Sequence, residues 1–173
     1  MKQSSPASFN RVSSESELFA RLRSPDVASR MISKFREVGL RSTRTRVALG
    51  SILFGKRDRH VSAEMLFEEA SQAGVSVSLA TVYNTLQQFT EVGLLRQVAI
   101  NSSKSYFDTN TTEHHHYYVE GRHELIDIPS INLVLGKAPE PPEGYEVVRI
   151  DVVVRLRRKR ASTTLTPAEH SAE

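Results

Sequence analysis

The 173-residue sequence contains no cysteine. This absence excludes disulfide bonds, thiolate catalysis, iron–sulfur clusters and cysteine-ligated zinc, so any metal must be held by histidine, carboxylate or tyrosine. No stretch approaches the roughly 18 apolar residues of a membrane-spanning helix, and the first residues lack the apolar segment of a signal peptide. We therefore expect a cytoplasmic protein that has no contact with the membrane and consists of one domain or two small ones.

Charge is distributed unevenly along the chain. Lys and Arg outnumber Asp and Glu by 13 to 5 in residues 1–60, whereas Asp and Glu outnumber Lys and Arg by 12 to 5 in residues 61–150. A basic N-terminal part suits a polyanion such as DNA, and an acidic middle suits a partner surface or cations. The alternative is an uneven surface charge without function.

Apolar residues recur at helical spacing in four segments between residues 25 and 92. Ser24, Ser62 and Ser78 are placed to cap the first, third and fourth of these helices, and the second is expected to start at Thr43. Gly39 and Gly93 are placed to end the first and fourth helices. A polar loop of residues 56–60 precedes the third.

The pattern changes to strands after the fourth helix. Residues 94–100 and 104–108 predict a β-hairpin around a turn at residues 101–103, and helices followed by a hairpin indicate a winged helix. Strands are expected at residues 114–119, 124–128 and 145–156. The predicted class is therefore α+β, with a winged-helix DNA-binding domain (24–109) and a small α/β dimerisation and sensing domain (110–157), flanked by a disordered arm (1–23) and tail (158–173).

Two groups of residues are candidates for DNA contact. Arg41, Arg44 and Arg46 lie near the start of the second helix, where backbone N–H groups also favour phosphate. The side of the fourth helix opposite its apolar stripe carries small and amide-bearing residues suited to base edges, with Tyr83 close by: Ser78, Ala80, Thr81, Asn84, Thr85, Gln87 and Gln88. Ordinary solvent-exposed faces are the alternative interpretation of both groups.

Three consecutive histidines are the candidate ligands. A strand would place His114 and His116 on one face, with Cα atoms about 6.6 Å apart, close enough for both rings to reach one centre. His115 would point to the other face. Surface or core imidazoles without a ligand are the alternative.

Four stretches resemble, in order and spacing, the ferric uptake regulator (Fur) family: residues 39–46, 60–66, 78–86 and 114–116. In that family an N-terminal winged helix binds operator DNA as a homodimer, and a C-terminal α/β domain dimerises and holds the sensing sites. Assembly into oligomers larger than the dimer is an open alternative. The resemblance implies that Arg41 reaches toward the minor groove, that Arg46 contacts phosphate, and that Ala80 and Tyr83 contact bases. It also implies that His60 and Asp108 join the histidine triplet around one Fe, Mn or Zn ion.

The chain departs from the family pattern after the triplet, where Tyr117 and Tyr118 replace further ligands and the usual zinc-binding cysteines are absent. A cluster of imidazole and aromatic groups suits haem. This departure resembles the iron response regulator subgroup of alphaproteobacteria. That resemblance implies a transcription regulator of haem synthesis and iron homeostasis that is released from DNA by haem and served by a haem-delivering protein. Some members carry a Cys-Pro haem motif, which this chain lacks, so the expected haem ligands are His114, His115, His116 and Tyr117, with His60 as a second locus.

Other functions stay open. A divalent-metal (Fe or Mn) responsive repressor fits the same residues, and so does a haem- or metal-binding protein without a regulatory role. An enzyme is not expected, because the chain has no His-Glu-x-x-His motif and no histidine has a nearby general base beyond Asp108 and Glu113.

Overall fold

The computed structural model of the protein describes residues 25–55, 57–101, 104–129, 136 and 139–159. The chain divides into two compact units, Met1–Thr112 and Glu113–Glu173. The first contains helices and a small sheet and the second a small sheet, which confirms the predicted α+β class. None of the helices in the described ranges is long and apolar enough to cross a bilayer. The predicted arm, the end of the predicted tail and the Ser24 cap lie outside the described residues.

The first unit contains four helices: α1 (Pro25–Glu37), α2 (Arg44–Phe54), α3 (Ala63–Gln72) and α4 (Leu79–Glu91). The predicted caps of α3 and α4 are confirmed, whereas Thr43, expected as the first residue of its helix, is the cap of α2. The hydroxyl oxygens of Thr43, Ser62 and Ser78 each accept a hydrogen bond from the backbone N–H three residues later. Each bond satisfies a donor that the first turn of a helix leaves without a partner.

The core of the first unit lies where the helices meet. Phe35 of α1 is fully buried, and its ring centroid lies 5.2 Å from that of Phe89 on α4. Gly50 of α2 faces the same ring, since a Cβ built there would lie 2.9 Å from Phe35 Cζ. This glycine therefore sets how closely α1 and α2 pack.

A three-stranded antiparallel sheet completes the first unit: β1 (His60–Val61), β2 (Arg96–Asn101) and β3 (Lys104–Asp108), in the order β1-β3-β2. The predicted hairpin is confirmed as β2 and β3, although Leu94 and Leu95, expected in its first strand, precede β2, and Asn101, expected in the turn, belongs to β2. The prediction of a loop at His60 is wrong. The outer edge of β3 offers free backbone groups, and His60 and Val61 pair there with Asp108 and Phe107.

The second unit holds a sheet of β4 (His115–Val119), β5 (Glu124–Ile128) and β6 (Val153–Leu156), in the order β5-β4-β6. Strand β5 pairs antiparallel and β6 parallel with β4. The prediction of one strand over residues 145–156 is wrong, because only its last four residues pair with β4. Residues 145–151 form no strand and leave apolar side chains exposed, with Val148 at 87% of its full exposure.

Candidate functional site

Helix α4 carries most of the residues predicted to read DNA. Ala80, Tyr83 and Asn84 are exposed. Thr85, which was expected on the same side, is buried, so that part of the prediction is wrong. Its hydroxyl donates to the carbonyl of Thr81 at 2.8 Å. A threonine can turn its hydroxyl back onto its own helix in this way and then pack its methyl group inward.

The first turn of α4 is organised by its cap. Ser78 Oγ accepts from the backbone N–H of Thr81 and lies 2.8 Å from Thr81 Oγ1. Small side chains in this turn leave room for another molecule to approach the helix end closely, as major-groove readout requires.

Tyr83 is held by a neighbouring helix. Its hydroxyl donates to Glu64 Oε1 of α3 at 2.6 Å, while 44% of the residue stays exposed. The hydrogen bond to Glu64 is the main cause that raises the pKa of Tyr83 above its usual value of 10, followed by burial and by the charge of Glu64. The ring is therefore neutral at physiological pH and fixed in direction.

The three predicted phosphate-binding arginines lie at the start of α2. Arg41 and Arg44 are exposed. Arg46 is half-buried: its Nε donates to Gln88 Oε1 of α4 at 2.9 Å, and its Nη1 donates to the carbonyl of Arg41 at 2.8 Å. Arg46 thus connects the basic start of α2 to the helix predicted to read DNA.

One predicted ligand pair belongs to the first unit. His60 and Asp108 are opposite each other on β1 and β3, and His60 Nε2 lies 3.5 Å from Asp108 Oδ2. Asp108 is completely buried. A buried carboxylate needs hydrogen bonds or a nearby positive charge, and both an imidazolium and a cation can supply the charge.

The second group of ligands belongs to the second unit. His114 and His116 are buried, and their Nε2 atoms lie 3.0 Å apart. The rings converge as the alternation of a strand predicts. Asp127 Oδ1 of β5 lies 3.5 Å from His114 Nε2 and 3.9 Å from His116 Nε2. These three ligand atoms lie close enough together to hold one cation.

Asp127 was missed in the sequence analysis. The signal that could have found it is strand register, because His116 is directly opposite Asp127 in the β4–β5 pair. Opposite residues of antiparallel strands share a face, so a carboxylate there must approach the imidazoles.

His115 and Tyr117 point to the other face of β4. Both are half-buried, and His115 is opposite Ile128 of β5. His115 Nδ1 is buried and forms no hydrogen bond with any part of the chain that the structure describes. The predicted haem residues therefore do not form one cluster: His114 and His116 share a face that His115 and Tyr117 do not.

Comparison with known proteins places this chain in a family. The sequence profile of the Ferric uptake regulator family matches residues 37–149. The "Ferric uptake regulation protein" of Pseudomonas aeruginosa is 30% identical over 130 residues, which cover 74% of this chain and 97% of that relative. A "Peroxide-responsive repressor PerR" of Staphylococcus aureus is 30% identical over 103 residues, covering 58% of this chain and 69% of that relative.

The fold agrees with this match. The solved structure of the P. aeruginosa ferric uptake regulator with manganese has a TM-score of 0.58 and 27% identity, covering 75% of this chain and 98% of that one. A profile that spans most of the chain and a relative covered almost from end to end lead to the same conclusion: this protein belongs to the Ferric uptake regulator family of metal-responsive, DNA-binding transcription regulators.

Proposed function

We propose that this protein is a homodimeric transcription regulator that binds operator DNA in response to a divalent metal ion, Fe²⁺ or Mn²⁺. The observation that carries the proposal is the convergence of two buried imidazole nitrogens, on His114 and His116, beside the Asp127 carboxylate. A nitrogen–nitrogen distance of 3.0 Å needs either a shared proton or a shared cation. The nearby carboxylate favours the cation.

The donor set fits a borderline divalent ion. Imidazole and carboxylate ligands suit Fe, Mn and Zn, and a cation would offset the negative charge of Asp127. His114, His116 and Asp127 would hold the ion in the second unit. His60 and Asp108 of the first unit are its further proposed ligands, as the family resemblance implies. An ion bound by the ligands of both units would favour one arrangement of the units, and it would therefore shift the dimer toward one conformation.

The DNA-binding role is assigned to the first unit. Arg41, Arg44 and Arg46 would contact phosphates, and the exposed side of α4 would enter the major groove with Ser78, Ala80, Thr81, Tyr83 and Asn84. This assignment is supported by the exposure of Ala80, Tyr83 and Asn84 and by the link from Arg46 to α4. We assign residues 24–109 to DNA binding and residues 110–157 to dimerisation and sensing.

The proposed dimer rests on apolar surface in the second unit. Tyr145, Val148 and Ile150 are exposed beside a sheet whose β6 strand pairs only with β4 within the described residues. Exposed apolar surface next to a strand edge is typical of an interface. A second copy of the chain would cover it.

Haem is a second candidate signal, as the resemblance to the iron response regulator subgroup implies. The observation that favours it is the half-buried pair His115 and Tyr117, with a His115 nitrogen that has no partner among the described residues. An imidazole nitrogen without a hydrogen-bond partner, beside an aromatic ring, can serve as an axial ligand. The burial of His114 and His116 against a carboxylate favours a small ion for those two residues.

One titration distinguishes the two signals. Purified protein is titrated with Mn²⁺ and, separately, with haem, and its affinity is measured for a duplex selected from random-sequence DNA. The proposed function predicts tighter DNA binding with Mn²⁺, lost in His116→Ala and kept in His115→Ala. Release of DNA by haem, abolished in His115→Ala, would instead establish the haem-responsive function.

A further inference from the structure

Arg96 is a buried arginine that belongs neither to the proposed DNA-binding residues nor to the proposed metal ligands. It lies in β2 with only 5% of its surface exposed. Burying a guanidinium is costly unless opposite charge and hydrogen bonds compensate for the loss of water, so a buried arginine normally has a structural or functional partner.

The strand register identifies the neighbours of Arg96. Arg96 is opposite Asp108 in the β2–β3 pair, and Asp108 is opposite His60 in the β1–β3 pair. The three residues form one row across the sheet, with opposite Cβ atoms about 4.5–5.5 Å apart. A cationic side chain thus stands beside a fully buried carboxylate that is a proposed metal ligand.

Arg96 also reaches the end of the first unit. Its Nη1 donates to the carbonyl of Thr112 at 3.3 Å, and Thr112 is the last residue of that unit. Residues 109–112, here called the connector, lead from Asp108 toward His114. Arg96 therefore contacts the far end of the connector from a position beside Asp108, where the connector begins.

A second chain of hydrogen bonds runs from Asp108 to the same point. Asp108 Oδ1 accepts from the backbone N–H of Asn110 at 2.8 Å, and Asn110 Oδ1 accepts from the backbone N–H and the hydroxyl of Thr112 at 3.1 and 2.6 Å. The other oxygen, Asp108 Oδ2, faces His60. One carboxylate thus contacts a proposed ligand with one oxygen and anchors the connector with the other.

We propose that Arg96 is a positioning residue that fixes the connector to the Asp108 row, so that occupancy of the metal site is transmitted to the segment joining the two units. This inference rests on the proposed function and specifies its regulation. A cation bound at Asp108 Oδ2 attracts the carboxylate whose other oxygen accepts from the Asn110 N–H. Arg96 holds Thr112, so that the connector moves together with this carboxylate. Without Arg96, the protein binds metal but transmits the binding poorly to DNA affinity.

The test uses the 173-residue protein and four variants of it. Arg96→Met removes the charge and the donors, Arg96→Lys keeps the charge, and Asn110→Ala breaks the second chain of hydrogen bonds. Arg122→Met is the matched control, because that side chain is 77% exposed and pairs with Glu124. For each protein, three quantities are measured: Mn²⁺ affinity by chelator competition, the ratio of DNA affinities with and without Mn²⁺, and hydrogen exchange of the Asn110 and Thr112 amides.

Wild type is expected to show a ratio within the usual range for allosteric coupling, about 5- to 150-fold. Arg96→Met and Asn110→Ala should bring this ratio close to 1 and accelerate exchange at both amides, while Mn²⁺ affinity stays within about threefold because the ligands remain. Arg96→Lys should recover part of the ratio. Arg122→Met should match wild type in all three quantities.

Two results would overturn the proposal. The first is a ratio of DNA affinities in Asn110→Ala and Arg96→Met that equals the wild-type ratio. The second is amide exchange that is unchanged in both variants. If Arg96→Met fails to fold, Asn110→Ala and Arg96→Lys carry the test. Failure of the proposed function has a different signature, because wild type itself would then show a ratio of 1. The exchange rates would still report whether Arg96 fixes the connector.

Discussion

His114 and His116 approach each other to 3.0 Å between their Nε2 atoms, and both nitrogens face the same oxygen of Asp127. Two imidazolium rings would repel each other at this distance, so at least one ring must direct a lone pair toward the other. The carboxylate adds a negative charge at the same point. A divalent cation satisfies all three groups at once, so this cluster is the proposed metal site of the second unit.

Removing one of these imidazoles should abolish tight metal binding. His116→Ala leaves one imidazole and one carboxylate in the second unit, and we expect Mn²⁺ affinity to fall by about 100-fold or more, beyond the 10- to 100-fold typical of residues around a metal site. Affinity should also fall as the pH drops, because protons compete for the imidazole nitrogens. Chelator competition measures both effects.

The control for that variant is His123→Ala. His123 is exposed and its Nδ1 lies 2.8 Å from the Tyr118 hydroxyl. An equal loss of Mn²⁺ affinity in His123→Ala would show that the His116 result does not report a specific ligand.

Loss of Arg46 should weaken DNA binding in a salt-dependent way. A phosphate contact releases counterions, so Arg46→Ala should reduce the slope of log affinity against log salt by about 1 and weaken binding to all sequences alike. Fluorescence anisotropy at several salt concentrations measures the slope. The control is Arg122→Ala, which removes an exposed arginine of the second unit. An unchanged slope in Arg46→Ala would show that Arg46 is not part of the proposed DNA interface.

Glu64 should determine the orientation of the Tyr83 side chain toward DNA. Glu64→Ala frees the phenol, so the contribution of Tyr83 to sequence preference should fall, and the pKa of Tyr83 should drop toward its usual value of 10 because the hydrogen bond and the neighbouring charge that raise it are gone. Ultraviolet absorbance titration follows the ionisation, and binding to thymine- and uracil-containing duplexes follows the preference.

Glu64→Gln separates the two effects of this residue. The amide oxygen can still accept from Tyr83, but the negative charge near the DNA is removed. We therefore expect Glu64→Gln to keep the sequence preference and to bind DNA more tightly than wild type. Loss of preference in both variants would mean that the charge, rather than the hydrogen bond, orients Tyr83.

Gly50→Ala should destabilise the first unit despite the better helix propensity of alanine. The new Cβ would lie 2.9 Å from Phe35 Cζ and 3.0 Å from Met31 Sδ, and both side chains are buried. Overpacking costs about 1–3 kcal/mol, whereas the propensity gain is at most about 1 kcal/mol. Urea unfolding should show a lower midpoint, with Gly136→Ala as control, since nothing lies within 4 Å of a Cβ there. A raised midpoint would contradict the packing argument.

Features set by neighbouring residues in the chain could be predicted from the sequence. The caps Ser62 and Ser78 act within one turn of their helices, and the convergence of His114 with His116 follows from the two-residue period of a strand. The apolar side of α4 and the β2–β3 hairpin follow from the same kind of local pattern.

Features set by pairing between distant segments could not be predicted. His60 is in a strand only because the edge of β3 is free to accept it, and Asp127 joins the histidines through the register of β4 and β5. Arg96 acquires a role through the same kind of register. The opposite error occurred at residues 145–151, where strand-forming residues have no partner strand within the described chain.

The most direct test of the account is DNA affinity as a function of free Mn²⁺, measured for wild type and for the His114→Ala, His116→Ala double variant on the same selected duplex. Metal control through this cluster predicts that Mn²⁺ tightens wild-type binding by about tenfold or more and leaves the double variant unchanged. Wild-type affinity that is indifferent to Mn²⁺ and Fe²⁺, or an equal response in the double variant, would contradict it.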